Sequence, residues 1–386
     1  MITVGLLLLL IPAGLLLYAY LGYPVAMWLL TRHRGLGLPT NDPPEWPEIT
    51  LTVPAYNEER AIAATLDSLL LLDYPSERRH ILVVSDASTD RTDEIVRGYA
   101  DRGVNLVRLP VRGGKTVAEN TAGRHLIGDI VVSTDATIRI HPTALKKLVR
   151  VFQDPRIGVA SGRDRSVSRA DQESNQAESG YVSYEMWVRS LETRRGSIVG
   201  ASGCFYAIRR HLYSVLFPDA LSRDFASALL AVENGYRAVS VHEAVCLVPR
   251  TRSLQAEYRR KVRTMARGLE TLWYKRRAIG KAGGMFAFQL LSHKLARWLV
   301  FITEPGALIG LAILATQWAW AAGLLVGVVL GILIGAAAMF WPESRKVPGP
   351  VSFFGFILGA QVAGFVAWTE VFRRELNPTW EPTRRG

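Results

Sequence analysis

Three short polar segments stand where chemistry could be done. Asp86 follows the β-rich run His80–Ser85 and opens the turn Asp86-Ala87-Ser88-Thr89-Asp90. Asp135 follows a second such run, Asp129–Thr134, and Pro54-Ala55-Tyr56-Asn57-Glu58-Glu59 closes a third, Ile49–Ala55. Carboxylates in these places can contact a base or ribose and can hold a cation that neutralises phosphate oxygens. An Asp alone at a turn caps that turn, but three polar strand ends in succession form a set. Arg112-Gly113-Gly114-Lys115 lies among them, where Lys115 either meets a phosphate or is solvated. The chain has no Gly-x-x-x-x-Gly-Lys-Ser/Thr loop, which argues against P-loop hydrolysis. Further on, Arg260, Arg263 and Arg267 recur at i, i+3 and i+7, so they share one helix face.

The elements between these segments must position them. Ile49–Ala55 alternates and ends at a polar turn, as a strand does. Ile62, Leu66, Leu69 and Leu70 then keep a helical period. His80–Ser85, Val104–Leu109 and Asp129–Thr134 are further strands, with helices to about Ala100 and across Gly113–Ile127. Strands and helices alternating with short joins imply an α/β fold with a mostly parallel sheet. Ligands of such sheets bind beyond the strands' C-terminal ends, where Glu58, Asp86 and Asp135 all fall.

These motifs, in order, resemble those of family 2 glycosyltransferases, which have a GT-A (Rossmann-like) fold. The resemblance takes in Gly114-Lys115 through Asn120, Thr134-Asp135-Ala136-Thr137, Gly200 to Arg210, Arg223-Asp224-Phe225, Gly235-Tyr236-Arg237 and Arg260 to Thr264, and covers about residues 48–275. It implies that Ala55, Tyr56 and Glu58 lie along a nucleotide and that Asp86 contacts its base. Asp135 then corresponds to the acid that holds a divalent cation (Mg2+ or Mn2+) and the diphosphate. Thr137 stands where a second acid is expected and offers an oxygen without charge. Arg260 and Arg263 match a diphosphate-contacting Gln/Arg-x-x-Arg-Trp motif, although a helix lying on anionic lipid would carry the same arginines. Thr264 replaces the Trp that approaches the acceptor sugar in polymerising relatives, so single-sugar transfer stays open. The family's catalytic base falls on Asp224. A carboxylate there can take the acceptor hydroxyl's proton as C1 is attacked, contributing roughly 10²–10⁴ in rate, and implies single displacement with inversion. The other reading of Ser222 and Asp224 is a helix N-cap.

The implied activity is transfer of a sugar from a UDP- or GDP-sugar donor to a lipid-linked or growing glycan acceptor, as in bacterial membrane-bound enzymes of exopolysaccharide or glycolipid assembly. One alternative is transfer to polyprenyl phosphate, an acceptor already ionised. Another, of a different class, is a non-catalytic transport or assembly subunit, but ionisable residues inside the apolar runs are nearly absent. Tyr181, Tyr184, Trp187 and Arg189 either line an acceptor site or pack a core, and His242 either reaches a metal or ends a strand.

The 386 residues carry a net charge of +12. Charge is absent from Met1 to Thr31, from Pro305 to Pro342 and from Val347 to Thr369. This excludes a wholly soluble chain, a disordered one and a pure channel. Met1–Leu30 is long enough to cross a bilayer, and Arg32, His33 and Arg34 after it place the polar domain in the cytoplasm. Pro305–Pro342 divides into a hairpin of two spans turning at Gln317–Trp320, Val347–Trp368 forms another, and Gly323, Gly327, Gly331 and Gly335 suit close packing. Residues 285–304, with His293, Lys294 and Arg297, read as an interfacial amphipathic helix before C-terminal spans at 305–370. One span before the domain and three after it would put the basic tail 371–386 outside, against its arginines' preference. Localisation in the bacterial inner membrane follows, with membrane lipids as partners. Basic residues mostly flank apolar runs, and no aromatics alternate with them on a strand, so no nucleic acid is expected. Cys204 and Cys246 are too few for a disulfide framework and suit a core.

Overall fold

The computed structural model describes residues 1–167, 176–249, 254–281, 283–341 and 347–375. Helices α1 (Ile2–Leu17) and α2 (Tyr23–Thr31) run on through a single π turn. Then come β1 (Ile49–Ala55), α3 (Ile62–Leu70), β2 (Arg79–Ser85), α4 (Thr92–Arg97), β3 (Val104–Arg108), α5 (Lys115–Ala122) and β4 (Ile130–Thr134). They are followed by β5 (Arg139–Ile140), α6 (Ala144–Arg150), β6 (Ile157–Val167), α7 (Gln176–Arg195), β7 (Phe205–Arg209), α8 (Arg210–Tyr213), α9 (Arg223–Glu233) and β8 (Arg237–Pro249). The chain continues in α10 (Leu254–Tyr274), α11 (Arg276–Lys281), α12 (Gly284–Leu290), α13 (Arg297–Ala315), α14 (Ala319–Met339) and α15 (Gly349–Arg373).

The sheet order is β3-β2-β1-β4-β7-β6-β8-β5. β3, β2, β1 and β4 are parallel, β7 runs against both β4 and β6, and β6 and β8 are parallel again. β1 is buried at every position, because helices cover both faces. Leu51 and Val53 pack with Ile62 and Leu66 of α3 and Leu145 and Leu148 of α6. Leu82, Val84 and Val131 point the other way, onto Ala118 and Ala122 of α5 and Ala226 and Leu230 of α9. The parallel strands therefore end together, and their end loops form one rim.

Among the described residues, four helical stretches are long and apolar enough to cross a membrane: Ile2–Thr31, Gly284–Ala315, Ala319–Met339 and Gly349–Arg373. α12 and α13 are one continuous helix, so the expected boundary between an interfacial helix at 285–304 and a span from 305 falls inside it. Pro305 costs that helix a hydrogen bond, but packing holds both flanks. Gly364 of α15 meets Phe301, and a Cβ on Gly310 would lie 2.7 Å from Gly5 O of α1. His293 and Arg297 do not lie on lipid as their amphipathic spacing suggested. Both are buried against α7, whose Glu185 and Glu192 supply the opposite charge. The turn expected at Gln317–Trp320 falls at 316–318, with the Trp318 and Trp320 rings stacked at 5.7 Å. Of the four-residue glycine row, Gly331 and Gly335 take Phe354 and Leu358 of α15, while Gly323 and Gly327 meet nothing. Arg345, Lys346 and the tail beyond residue 375 lie outside the described residues.

Candidate active site

The rim is stitched before any ligand arrives. Asn57 and Ala87, just past β1 and β2, both have left-handed backbones (φ 52° and 56°), a conformation that non-glycine residues adopt only when their surroundings enforce it. Here the two loops enforce each other. Thr89 N donates to Asn57 Oδ1 at 2.8 Å, Glu58 N to Thr92 Oγ1 at 2.8 Å and Glu59 N to Asp90 at 3.1 Å. Ala55, at the end of β1, accepts from Asp86 N at 2.8 Å. Arg112 stacks its guanidinium on the Tyr56 ring at 4.0 Å, forming a flat cationic wall beside Glu58.

Asp86 is fully buried. Its two oxygens accept from Gly113 N at 2.7 Å and Gly114 N at 2.8 Å. The contact seen for this carboxylate is thus with the glycine loop rather than with an open cleft. Gly114 needs its φ of 93°, and the loop delivers Lys115 at the start of α5. Lys115 Nζ donates to Asp135 Oδ1 at 2.6 Å and to Gly203 O at 3.1 Å. Gly203 lies directly under the base candidate: a Cβ there would sit 2.9 Å from Asp224 Oδ2. Ser222 Oγ donates to Asp224 Oδ1 at 2.5 Å, and Ser222 makes no side-chain capping bond to α9. Asp86, Lys115, Asp135 and Asp224, spread over about a third of the chain, are therefore linked through the 113–114 and 200–204 loops.

Burial alone would lower the Lys115 pKa, but Asp135, Glu119 and Asp224 around it raise it, so it stays an ammonium. Glu119 is buried one turn along α5, accepts from Ser133 Oγ at 3.1 Å, and is pushed up chiefly by burial. Asp164 is also raised by burial and accepts from Ser202 Oγ at 2.6 Å and from the buried Cys246 Sγ at 3.3 Å. Cys204 is only half-buried, in the same loop as Gly203.

Other expected residues have further contacts. Arg260 is held by Glu257 on its own helix at 2.8 Å, with Arg263 one turn on. Arg267, on the same helix, donates to Thr116 Oγ1 at 2.6 Å and Asp219 O at 3.0 Å. Tyr184 donates to Tyr20 O of the first membrane helix at 2.8 Å, and Arg189 pairs with Glu185. His242 is kept neutral by burial and by Arg163. Arg112, Glu119, Asp164 and the buried Arg223, which pairs with Asn120, were not singled out from sequence. Glu119, four residues after Lys115 on a helix, is the one that spacing alone could have found.

The donor set limits how a divalent cation can be held. Asp135 offers one charged carboxylate and Thr137 a neutral hydroxyl. Among the described residues no three His, Cys, Asp or Glu side chains gather into a cage. Mg2+ commonly binds through one or two carboxylates, waters and substrate phosphates. That arrangement fits Asp135 and Thr137 if the diphosphate supplies the remaining oxygens.

The mixed sheet thus carries Asp86 and Asp135 just past its parallel strand ends, with Lys115 of α5 and Asp224 of α9 brought beside them in an acid–ammonium–acid row. Residues 50–217 match Glycosyl transferase family 2, and the chain carries a family 2 domain and is a glycosyltransferase. An N-acetylglucosaminyltransferase of Sinorhizobium fredii is 25% identical over 360 residues, covering 88% of this chain and 84% of its own. A beta-monoglucosyldiacylglycerol synthase of Synechocystis is 33% identical over 129 residues, 32% of this chain and 27% of its own. Among solved structures, the mannosyltransferase PcManGT of Pyrobaculum calidifontis, in complex with GDP-Man and Mn2+, superposes with a TM-score of 0.74 at 25% identity. It covers 95% of this chain and 99% of its own.

Proposed function

We propose that the protein is a membrane-bound inverting glycosyltransferase that moves one sugar from a UDP- or GDP-sugar to a hydroxyl of a lipid-linked or growing glycan. The observation that carries this reading is the Lys115 ammonium, which touches Asp135 and the loop beneath Asp224. Tyr56 with Arg112 flanks the nucleotide. The Asp86-held loop aims Lys115 at the diphosphate, where a fixed positive charge favours the leaving group. Asp224 takes the acceptor proton as its oxygen attacks C1, and the nucleoside diphosphate departs from the opposite face. A divalent cation, when bound, would neutralise diphosphate charge next to Asp135 and Thr137. The domain lies in the cytoplasm at the bacterial inner membrane, where Arg32, His33 and Arg34 favour it.

The test uses full-length protein in lipid discs with a panel of sugar nucleotides, with and without Mg2+ or Mn2+. One donor should raise the melting temperature and release nucleoside diphosphate. Asp224→Asn should keep the binding and lose the release. No donor binding, or full turnover by Asp224→Asn, overturns the reading.

A further inference from the structure

α15 has the length and apolarity of a membrane span, but its contacts with the α13–α14 hairpin gather at one end of that hairpin. The turn at 316–318 marks the far end of the α13–α14 hairpin. Residues 331 to 339 of α14 lie roughly 18 to 30 Å along the helix from that turn, and residues 304 to 298 of α13 roughly 18 to 27 Å, at 1.5 Å per residue. The glycine contacts and side-chain hydrogen bonds that α15 makes with the hairpin fall in this zone. Phe354 and Leu358 meet Gly331 and Gly335, a Cβ on Gly355 would lie 2.6 Å from that of Ala338, and Gly359 meets Met339. Farther along, Gln361 Nε2 donates to Glu304 Oε1 at 2.7 Å, Gly364 meets Phe301, and Trp368 Nε1 donates to Trp298 O at 2.9 Å. Between Phe354 and Trp368 a crossing helix would change depth by about 21 Å. α15 instead meets the inner part of α14 with one half and the inner part of α13 with the other.

A second observation agrees. α15 packs along α10: Gly355 meets Leu254, and the Lys261 ammonium lies 3.5 Å from the Phe356 ring centroid. α10 carries Arg259, Arg260, Lys261 and Arg263 and is rooted in the catalytic domain by Arg267. Such a helix is too costly to place in hydrocarbon, so its partner lies no deeper than the interface. α15 turns small residues inward (Gly355, Gly359, Ala363, Ala367). Phe353, Ile357, Phe365 and Phe372 face outward and are 40–72% exposed.

We propose that α15 does not cross the bilayer but lies along the leaflet beside the catalytic domain, its phenylalanine stripe in the acyl chains. Arg373 and Arg374 then meet anionic headgroups on the domain's own side of the bilayer. Three crossings remain, which removes the conflict between the number of apolar runs and the basic tail. The proposal stands whether or not the enzyme's donor and acceptor are as read above.

Full-length protein carrying a protease site and epitope after Gly386 is reconstituted in phosphatidylethanolamine/phosphatidylglycerol vesicles. Added protease should remove the epitope in the same fraction of molecules in which it cuts the catalytic domain, while a site inserted after Thr316 is protected in that fraction. An epitope protected where the domain is digested overturns the proposal. A second measurement places nitroxides at Phe353→Cys and Phe372→Cys in a Cys204→Ala, Cys246→Ala background. Equal depths support a helix lying flat; a separation near the roughly 28 Å between those positions refutes it.

Discussion

Among the described residues, the ionic cluster at the rim of the sheet and the one at the junction with the apolar helices are built differently. At the rim of the sheet, Lys115 and Asp135 keep about a quarter of their side-chain surface exposed (25% and 26%), and backbone groups complete their bonding. At the junction with the membrane helices, His293 sits between Glu192 at 2.6 Å and Glu185 at 3.0 Å, both its nitrogens engaged. Tyr23 OH donates to the same Glu192 at 2.6 Å and Arg297 to Glu185 at 2.8 Å. These side chains are at most 11% exposed. The open cluster can trade a partner for a ligand. The closed one is shut off from solvent and serves to lock α7 to the first and second apolar helices. Charge at a buried place is thus not by itself a sign of catalysis; access decides.

That contrast can be broken in order of expected effect. Asp224→Asn should lower turnover by about 10²–10⁴ with donor affinity and melting temperature unchanged, read by nucleoside diphosphate release and calorimetry. Glu185→Ala should do the reverse. Stranding His293 and Arg297 costs about 3–5 kcal/mol, seen as a large fall in melting temperature in detergent, with near-normal kcat per folded molecule. If Glu185→Ala instead abolishes turnover in folded protein, the two clusters are not separate in function. Gly203→Ala pushes a methyl group against Asp224 and should cost about tenfold in kcat, with little change in the donor's KM.

The smallest effect is in pH. Burial would raise the Glu185 pKa, but His293, Lys294 and Arg297 around it leave it well below the usual range. Its stabilising contribution is therefore present above the ordinary Glu range and fades as pH falls through the depressed value. Glu119, raised by burial, has the opposite sign: its contribution is present at low pH and is lost as pH rises through the raised value. Stability–pH curves of Glu185→Gln and Glu119→Gln should accordingly flatten on opposite limbs.

The catalytic half was more legible in the sequence than the membrane half. Strand ends are written in short-range alternation, so Asp86 and Asp135 could be placed from local pattern, and Asp224 came through the family motif. The partners of Asp86 could not, because two backbone amides carry no sequence signal. Arg260 illustrates a local clue passed over: Glu257 lies three residues before it, at ion-pair spacing. In the membrane half the helices are apolar on most faces, and periodicity says little about which faces meet. Reading His293 and Arg297 as lipid-facing failed because their counter-charges sit about a hundred residues earlier, on α7. Pro305 suggested a boundary that long-range packing overrides.

The cross-laced loops after β1 and β2 have one more consequence. Ordering a backbone residue costs about 1–2 kcal/mol, and here Asn57 to Glu59 and Ala87 to Thr92 are already immobilised when the polypeptide folds. On the proposed function, a nucleotide docking against them meets a rigid wall, so its association should show little entropic opposition from this side of the cleft.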